Sequence, residues 1–180
     1  MAKGRKISVV GAGAVGTAVA YAALIRQVAN EIALYDINTP KVEAEAADLA
    51  HGSHFTGWPH VSGSSDIAVT SGSDIVVITA GAKQNPGQSR LELVRDNARI
   101  LKAMIPKLVE ASPDAIYILV TNPCDVLTMV AQRISGLPTS RVISSGTVLD
   151  SSRLRRLIAD RARILSLIHI SEPTRRTPIS

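Results

Sequence analysis

Three glycines and one aspartate carry the first chemical signal. Gly11, Gly13 and Gly16 stand in Gly11-Ala12-Gly13-Ala14-Val15-Gly16, directly after the apolar run Ile7–Val10 and directly before the alanine-rich run Thr17–Ile25. A strand, a glycine turn and a helix in that order form a cradle for a pyrophosphate. The first glycine turns the chain, the second lets backbone approach the phosphates, and the third lets the helix pack tightly on the sheet. The helix start adds unpaired N–H groups and a positive dipole end. Asp36 falls 20 residues after Gly16, at the end of the apolar run that begins at Glu31. A carboxylate there accepts hydrogen bonds from an adenosine ribose. Its neighbours are Ile37 and Asn38 rather than Arg. An unpaired negative charge at that point repels a 2′-phosphate, so the expected cofactor is NAD rather than NADP. Lys41 either lies beside the adenosine or is a solvated lysine at a helix start.

A second chemical stretch follows the β-branched run Asp74–Ala80. It reads Gly81-Ala82-Lys83-Gln84-Asn85-Pro86-Gly87-Gln88-Ser89-Arg90. In open α/β sheets ligands sit outside the carboxyl ends of the strands, so this polar loop belongs to a site. Glycines with a terminal arginine suit a lid. Three histidines, His51, His54 and His60, fall within ten residues. Their spacing matches no zinc pattern, and no Cys or carboxylate is interleaved, so they read as structural or exposed residues of a Gly/Pro-rich turn.

Composition narrows the classes. The 180 residues are 46% hydrophobic and 19% charged, with a single cysteine, Cys124. One cysteine allows no disulfide framework, and the expected location is cytoplasmic. No apolar run approaches a membrane span, and no signal peptide precedes the first strand, so no membrane partner is expected. The net charge is +5, yet aromatics make up only 3% and are not interleaved with the basic residues. That pattern argues against nucleic acid.

Elements that position these residues follow from apolar runs and breakers. Strands are expected over residues 7–10, 31–36, 67–70, 74–80, 115–121 and 141–145. Helices are expected over 17–25, 42–50, 91–111 with a kink or break at Pro106, 125–135 and 151–163. Alternating strands and helices predict an α/β, doubly wound parallel sheet of the Rossmann type.

A family resemblance rests on pieces in fixed order. They are Gly11–Gly16 with Asp36, Thr79-Ala80-Gly81-Ala82, Gln84-x-Pro86-Gly87-x-Ser89-Arg90, Val120-Thr121-Asn122-Pro123 and Leu149-Asp150-Ser151-Ser152-Arg153. Over about residues 5–163 the chain resembles the lactate/malate dehydrogenase family, with a bacterial character. The resemblance implies that Arg153 clamps the substrate carboxylate in a bidentate fork, a contact Lys does not reproduce. Arg90 resembles the lid arginine that polarises the reacting carbonyl. Asn122, ahead of a cis proline, resembles the residue that bonds substrate beside the nicotinamide, and Asp125 joins it among the substrate contacts. Asp150 resembles the carboxylate that orients a catalytic histidine. Val15, Gly81, Ala82 and Thr121 would line the cofactor. Malate enzymes of the family carry Arg at the position of Gln84, to pair the second carboxylate of oxaloacetate. A neutral Gln implies pyruvate and L-lactate instead. Arg155 matches a position that helps bind the activator fructose 1,6-bisphosphate across a subunit interface, in a family that is usually homotetrameric.

The resemblance ends before the family's catalytic histidine, which stands in Gly-x-His-Gly. The last histidine, His169, has no such setting. Residues 165–180 resemble the translation of a sequencing adapter and read as a non-native tail. The expected organisation is an NAD-binding domain over 5–145, the start of a truncated catalytic domain over 146–164, and that tail. With the second, catalytic domain missing, no general acid remains to protonate the product hydroxyl, and this chain is expected to be inactive.

Overall fold

Parallel strands form where the β-branched runs stand. The computed structural model describes residues 4–57, 59–82, 87 and 89–163. It divides into two units, residues 1–144 and 145–180. In the first unit the elements run β1 (Lys6–Val10), α1 (Ala14–Ile25), β2 (Glu31–Tyr35), α2 (Thr39–Gly52), β3 (His60–Ser64), β4 (Ile75–Ile78), α3 (Arg90–Ala111), β5 (Ile116–Leu119), α4 (Cys124–Ser135) and β6 (Val142–Ser144). The sheet order is β3-β2-β1-β4-β5-β6, parallel throughout. Ile7 pairs with Ile32 on one side and Ile75 on the other, so β1 is central. Chain order therefore reverses direction between β1 and β4, which opens a crevice at their carboxyl ends.

Each face of the sheet has its own core. Successive strand residues point to opposite faces, and Val9 and Val10 show the result. Val9 packs with Ala20, Leu24, Ile32, Leu34, Val42 and Leu49, on the side of α1 and α2. Val10 packs with Val76, Ile78, Leu101, Ile105, Leu108, Leu119 and Leu127, on the side of α3 and α4.

Several elements differ from the sequence reading. Residues 67–70 form a 3-10 turn rather than a strand. The Asp66 carboxylate caps it by accepting from Ala68 N at 2.9 Å, and Thr70 Oγ1 donates to Ile67 O at 2.8 Å. Local side-chain bonds of this kind compete with a ladder. The edge position beside β2 is filled by His60–Ser64, whose polar composition gives no strand signal. Gly63 is required there, because a Cβ would stand 2.6 Å from both Val42 O and Ala46 Cβ of α2.

Pro106 does not break α3, which continues to Ala111. Proline forfeits one backbone bond, but Leu101, Met104, Ile105 and Leu108 are buried around it and hold the helix. A capping box of Ser89 and Glu92 starts that helix, and hydrogen bonds from Ser89 hold the Glu92 carboxyl below its usual pKa. Helix α2 begins at Thr39, earlier than expected, because Asn38 Oδ1 accepts from Lys41 N at 3.1 Å and Pro40 fits the first turn. Helix α4 starts one residue before the expected Asp125.

The second unit contains one described helix, α5 (Val148–Ala162), three residues longer at its start than expected. The 165–180 segment lies outside the described residues. Among the described residues, no helix is long and apolar enough to cross a membrane.

Candidate dinucleotide site

The glycine turn is built as its spacing implies, and each glycine has a separate cause. Gly11 has φ +101°, its N–H donates to Tyr35 O at 2.7 Å, and its own carbonyl accepts from Thr79 Oγ1 at 2.9 Å. Gly16 sits where a Cβ would come within 1.9 Å of Gly11 O, so the helix lies directly on the turn. Gly13 is different. Its backbone is extended, and a Cβ there would meet nothing within 4 Å. The space beside Gly13 is cleft rather than protein. Helix α1 also starts without a side-chain cap and without an acidic residue in its first turn. Its N–H groups and positive dipole end are therefore left for an anion.

A cleft of about 560 Å³ opens at the carboxyl ends of β1, β2 and β4. Gly11, Gly13, Asp36, Lys41, Gly81 and Ala82 all line it, so six of the cofactor residues expected from sequence meet around one cavity. Asp36 is held by two backbone donors, Ala12 N at 2.7 Å and Asn38 N at 3.0 Å. An ionised carboxylate offers about four acceptor sites, so two remain for ribose hydroxyls. The bond to Ala12 gives Asp36 a second job that its spacing does not reveal, because it fastens the glycine turn to the end of β2.

Val15, Thr121, Asn122 and Asp125 are not among the residues that line the cleft. Val15 is 55% exposed on the first turn of α1. Thr121 is buried and donates to Ala80 O at 2.7 Å, tying the ends of β4 and β5 together. Asn122 is exposed, and its bond to Pro123 is cis. Asp125, in the first turn of α4, accepts from Ser144 Oγ at 2.6 Å. Gln84 lies outside the described residues, and Arg90 is the first residue of α3. Asp150 and Arg153 lie one turn apart on α5 and pair with each other at 3.3 Å on an exposed surface, with Arg155 exposed on the same helix.

One wall of the cleft is absent from the sequence reading. Ile100, Ala103, Met104 and Lys107 reach it from α3, and Ile67 reaches it from the 3-10 turn. The α3 residues follow the i, i+3, i+4, i+7 rhythm of one helix face. That rhythm overlaps the core stripe of Leu101, Met104, Ile105 and Leu108, so the two faces merge in the sequence. His51, His54 and His60 are exposed, and no group of three His, Cys, Asp or Glu able to hold a metal exists among the described residues.

Fold and cleft together define a doubly wound dinucleotide-binding domain. The open cradle at Gly13 and the anchored Asp36 carboxylate fit the pyrophosphate and ribose of such a ligand. The family profile described as lactate/malate dehydrogenase, NAD binding domain, matches residues 5–144, and the chain belongs to that family, with NAD as its cofactor. It is 51% identical over 162 residues to an L-lactate dehydrogenase of Bifidobacterium animalis subsp. lactis, covering 90% of this chain and 51% of that protein. It is 48% identical over 164 residues to L-lactate dehydrogenase 1 of Clostridium acetobutylicum, covering 91% and 52%. Among solved structures, the minor L-lactate dehydrogenase of Enterococcus mundtii in its ligands-bound form superposes with a TM-score of 0.86 at 39% identity, over 91% of this chain and 52% of that one. The chain spans about half the length of the curated relatives it matches.

Proposed function

We propose that this chain is the cofactor-binding part of an NAD-dependent L-lactate dehydrogenase, which interconverts pyruvate plus NADH and L-lactate plus NAD. The observation that carries the proposal is the cleft at the reversal of strand order, open at Gly13 and bordered by the anchored Asp36. When bound, NADH supplies the hydride. The chain's own residues do the holding. Gly11, Gly13 and the start of α1 receive the pyrophosphate, Asp36 accepts from the adenosine ribose, and Lys41 lies alongside. Val15, Gly81, Ala82, Thr121 and Asn122 border the other half of the cofactor.

On the substrate side, Arg153 pairs with the carboxylate and Arg90 polarises the carbonyl. Asn122 and Asp125 complete the contacts, and Asp150 orients a histidine. None of His51, His54 and His60 lines the cleft, so the proton for the new hydroxyl comes from a histidine outside the described residues. Arg155 suits a phosphate of fructose 1,6-bisphosphate at a subunit interface of a homotetramer.

Gln84 sets the substrate in this reading. A second carboxylate facing a neutral amide in a closed site is left without a partner, at a cost of several kcal/mol. The test fuses residues 1–163 to the second half of the Bifidobacterium relative and compares kcat/KM for pyruvate and oxaloacetate. Pyruvate should win by about a hundredfold or more, and Gln84→Arg should narrow or invert the ratio. Preference for oxaloacetate with Gln84 in place would favour a malate dehydrogenase and overturn the proposal.

A further inference from the structure

Asn97, on α3, is 2% exposed and does not appear among the residues that sequence spacing singles out. Both ends of its side-chain amide are bonded. Oδ1 accepts from Ala82 N at 2.7 Å, and Nδ2 donates to Asn122 O at 3.0 Å. One buried amide thus bridges the loop after β4 and the loop after β5. The fit is tight, since a Cβ on Gly81 would stand 3.0 Å from Asn97 Oδ1 and 2.4 Å from Thr121 Cγ2. Neither backbone group takes part in the sheet ladder, because β4 ends at Ile78 and β5 at Leu119.

Strand order says what the bridge serves. The pyrophosphate cradle is at the end of β1 and Asp36 is at the end of β2, so the adenosine half lies on the β2 side. The rest of a dinucleotide must run the other way, over β4 towards β5. Those are the two strand ends that Asn97 fastens together.

We infer that Asn97 is a positioning residue that sets the gap between Ala82 and Asn122 in which the nicotinamide riboside half of the cofactor is held. The inference rests on the NAD reading of the cleft. Asn97 is not among the residues that line the cleft. It keeps the Ala82 N–H and the Asn122 C=O, both beyond the strand ends, in fixed places.

The test uses the full 180-residue chain and two probes, ADP and NADH, titrated by calorimetry. ADP carries the adenosine and both phosphates, whereas NADH adds the nicotinamide riboside. Asn97→Ala removes both bonds. Asn97→Asp keeps the shape and the acceptor for Ala82 but loses the donor to Asn122. Both variants should bind ADP within about twofold of the unmodified chain and NADH about tenfold more weakly. Equal losses for the two probes, or unchanged NADH affinity, would overturn the inference and leave the cofactor reading standing. Failure of the unmodified chain to bind either probe would overturn the cofactor reading and the inference with it. A measurement on the unmodified chain keeps the test decisive if a variant fails to fold. The Ala82 amide, on an exposed residue, should exchange slowly with solvent, and exchange at the rate of an open loop would refute the bridge.

Discussion

Gly13 and Gly16 lie three residues apart in one motif, yet their environments predict opposite consequences for the same substitution. At Gly16 an added Cβ stands 1.9 Å from Gly11 O and 2.7 Å from Thr79 Oγ1, where ordinary contact begins near 3.4 Å. The carbonyl cannot retreat, because the Thr79 hydroxyl already holds it at 2.9 Å. Helix α1 would have to lift by roughly 1.5 Å from the core it forms with Val9 and Ile32, which costs about 3 kcal/mol. At Gly13 the added Cβ meets no protein atom, and the extended backbone suits any L residue. Alanine is a poorer N-cap than glycine, but it also restricts the unfolded chain, and the two effects nearly cancel. Gly13→Ala should therefore leave stability within about 1 kcal/mol while weakening NADH at least about tenfold, because the methyl group occupies the approach of the pyrophosphate. Urea unfolding and NADH fluorescence titration on both variants check the pair. If Gly13→Ala binds NADH as the unmodified chain does, the cradle is not where the phosphates rest. If Gly16→Ala is as stable as the unmodified chain, the packing argument fails.

Two further substitutions test other parts of the molecule. Asp36→Asn removes the negative charge while leaving one oxygen for Ala12 N or Asn38 N, and the ratio of NADPH to NADH dissociation constants should fall about tenfold. An unchanged ratio would place selection against the 2′-phosphate elsewhere. Tyr117 is buried, with its one hydroxyl proton shared between Ser112 O at 2.8 Å and Leu108 O at 2.9 Å. Burial pushes its pKa up to about 12, against a smaller opposing pull from the Arg141 guanidinium. The folded state therefore keeps a proton that the unfolded chain releases near pH 10. Stability is intact below pH 10 and declines by about 2 kcal/mol as pH rises towards 12. Tyr117→Phe should lose that alkaline component in urea titrations between pH 9 and 12, and an unchanged pH slope would contradict the assignment.

The glycine turn, Asp36 and the buried strands were legible because each depends on local spacing. An apolar run between breakers is buried in any parallel sheet, and the turn residues tolerate few alternatives. The edge strand His60–Ser64 was not legible, because its slot is created by β2 and α2 and not by its own residues. The 67–70 segment has strand composition, but Asp66 and Thr70 satisfy its backbone locally. Pro106 misled for a related reason, since tertiary burial of four apolar side chains outweighs one missing hydrogen bond. The apolar wall of the cleft, Lys107 and the Asn97 bridge depend on how α3 crosses the sheet. Asn97 alone in an amphipathic helix gives no sequence signal, whereas a buried amide with both ends bonded is plain in three dimensions.

Direct titration of the 180-residue chain with NADH tests the central reading most simply. One saturable site, competed by ADP and at least about tenfold weaker for NADPH, is the expected result. No saturable binding, or equal affinity for NADPH, would contradict the reading of this cleft as an NAD site.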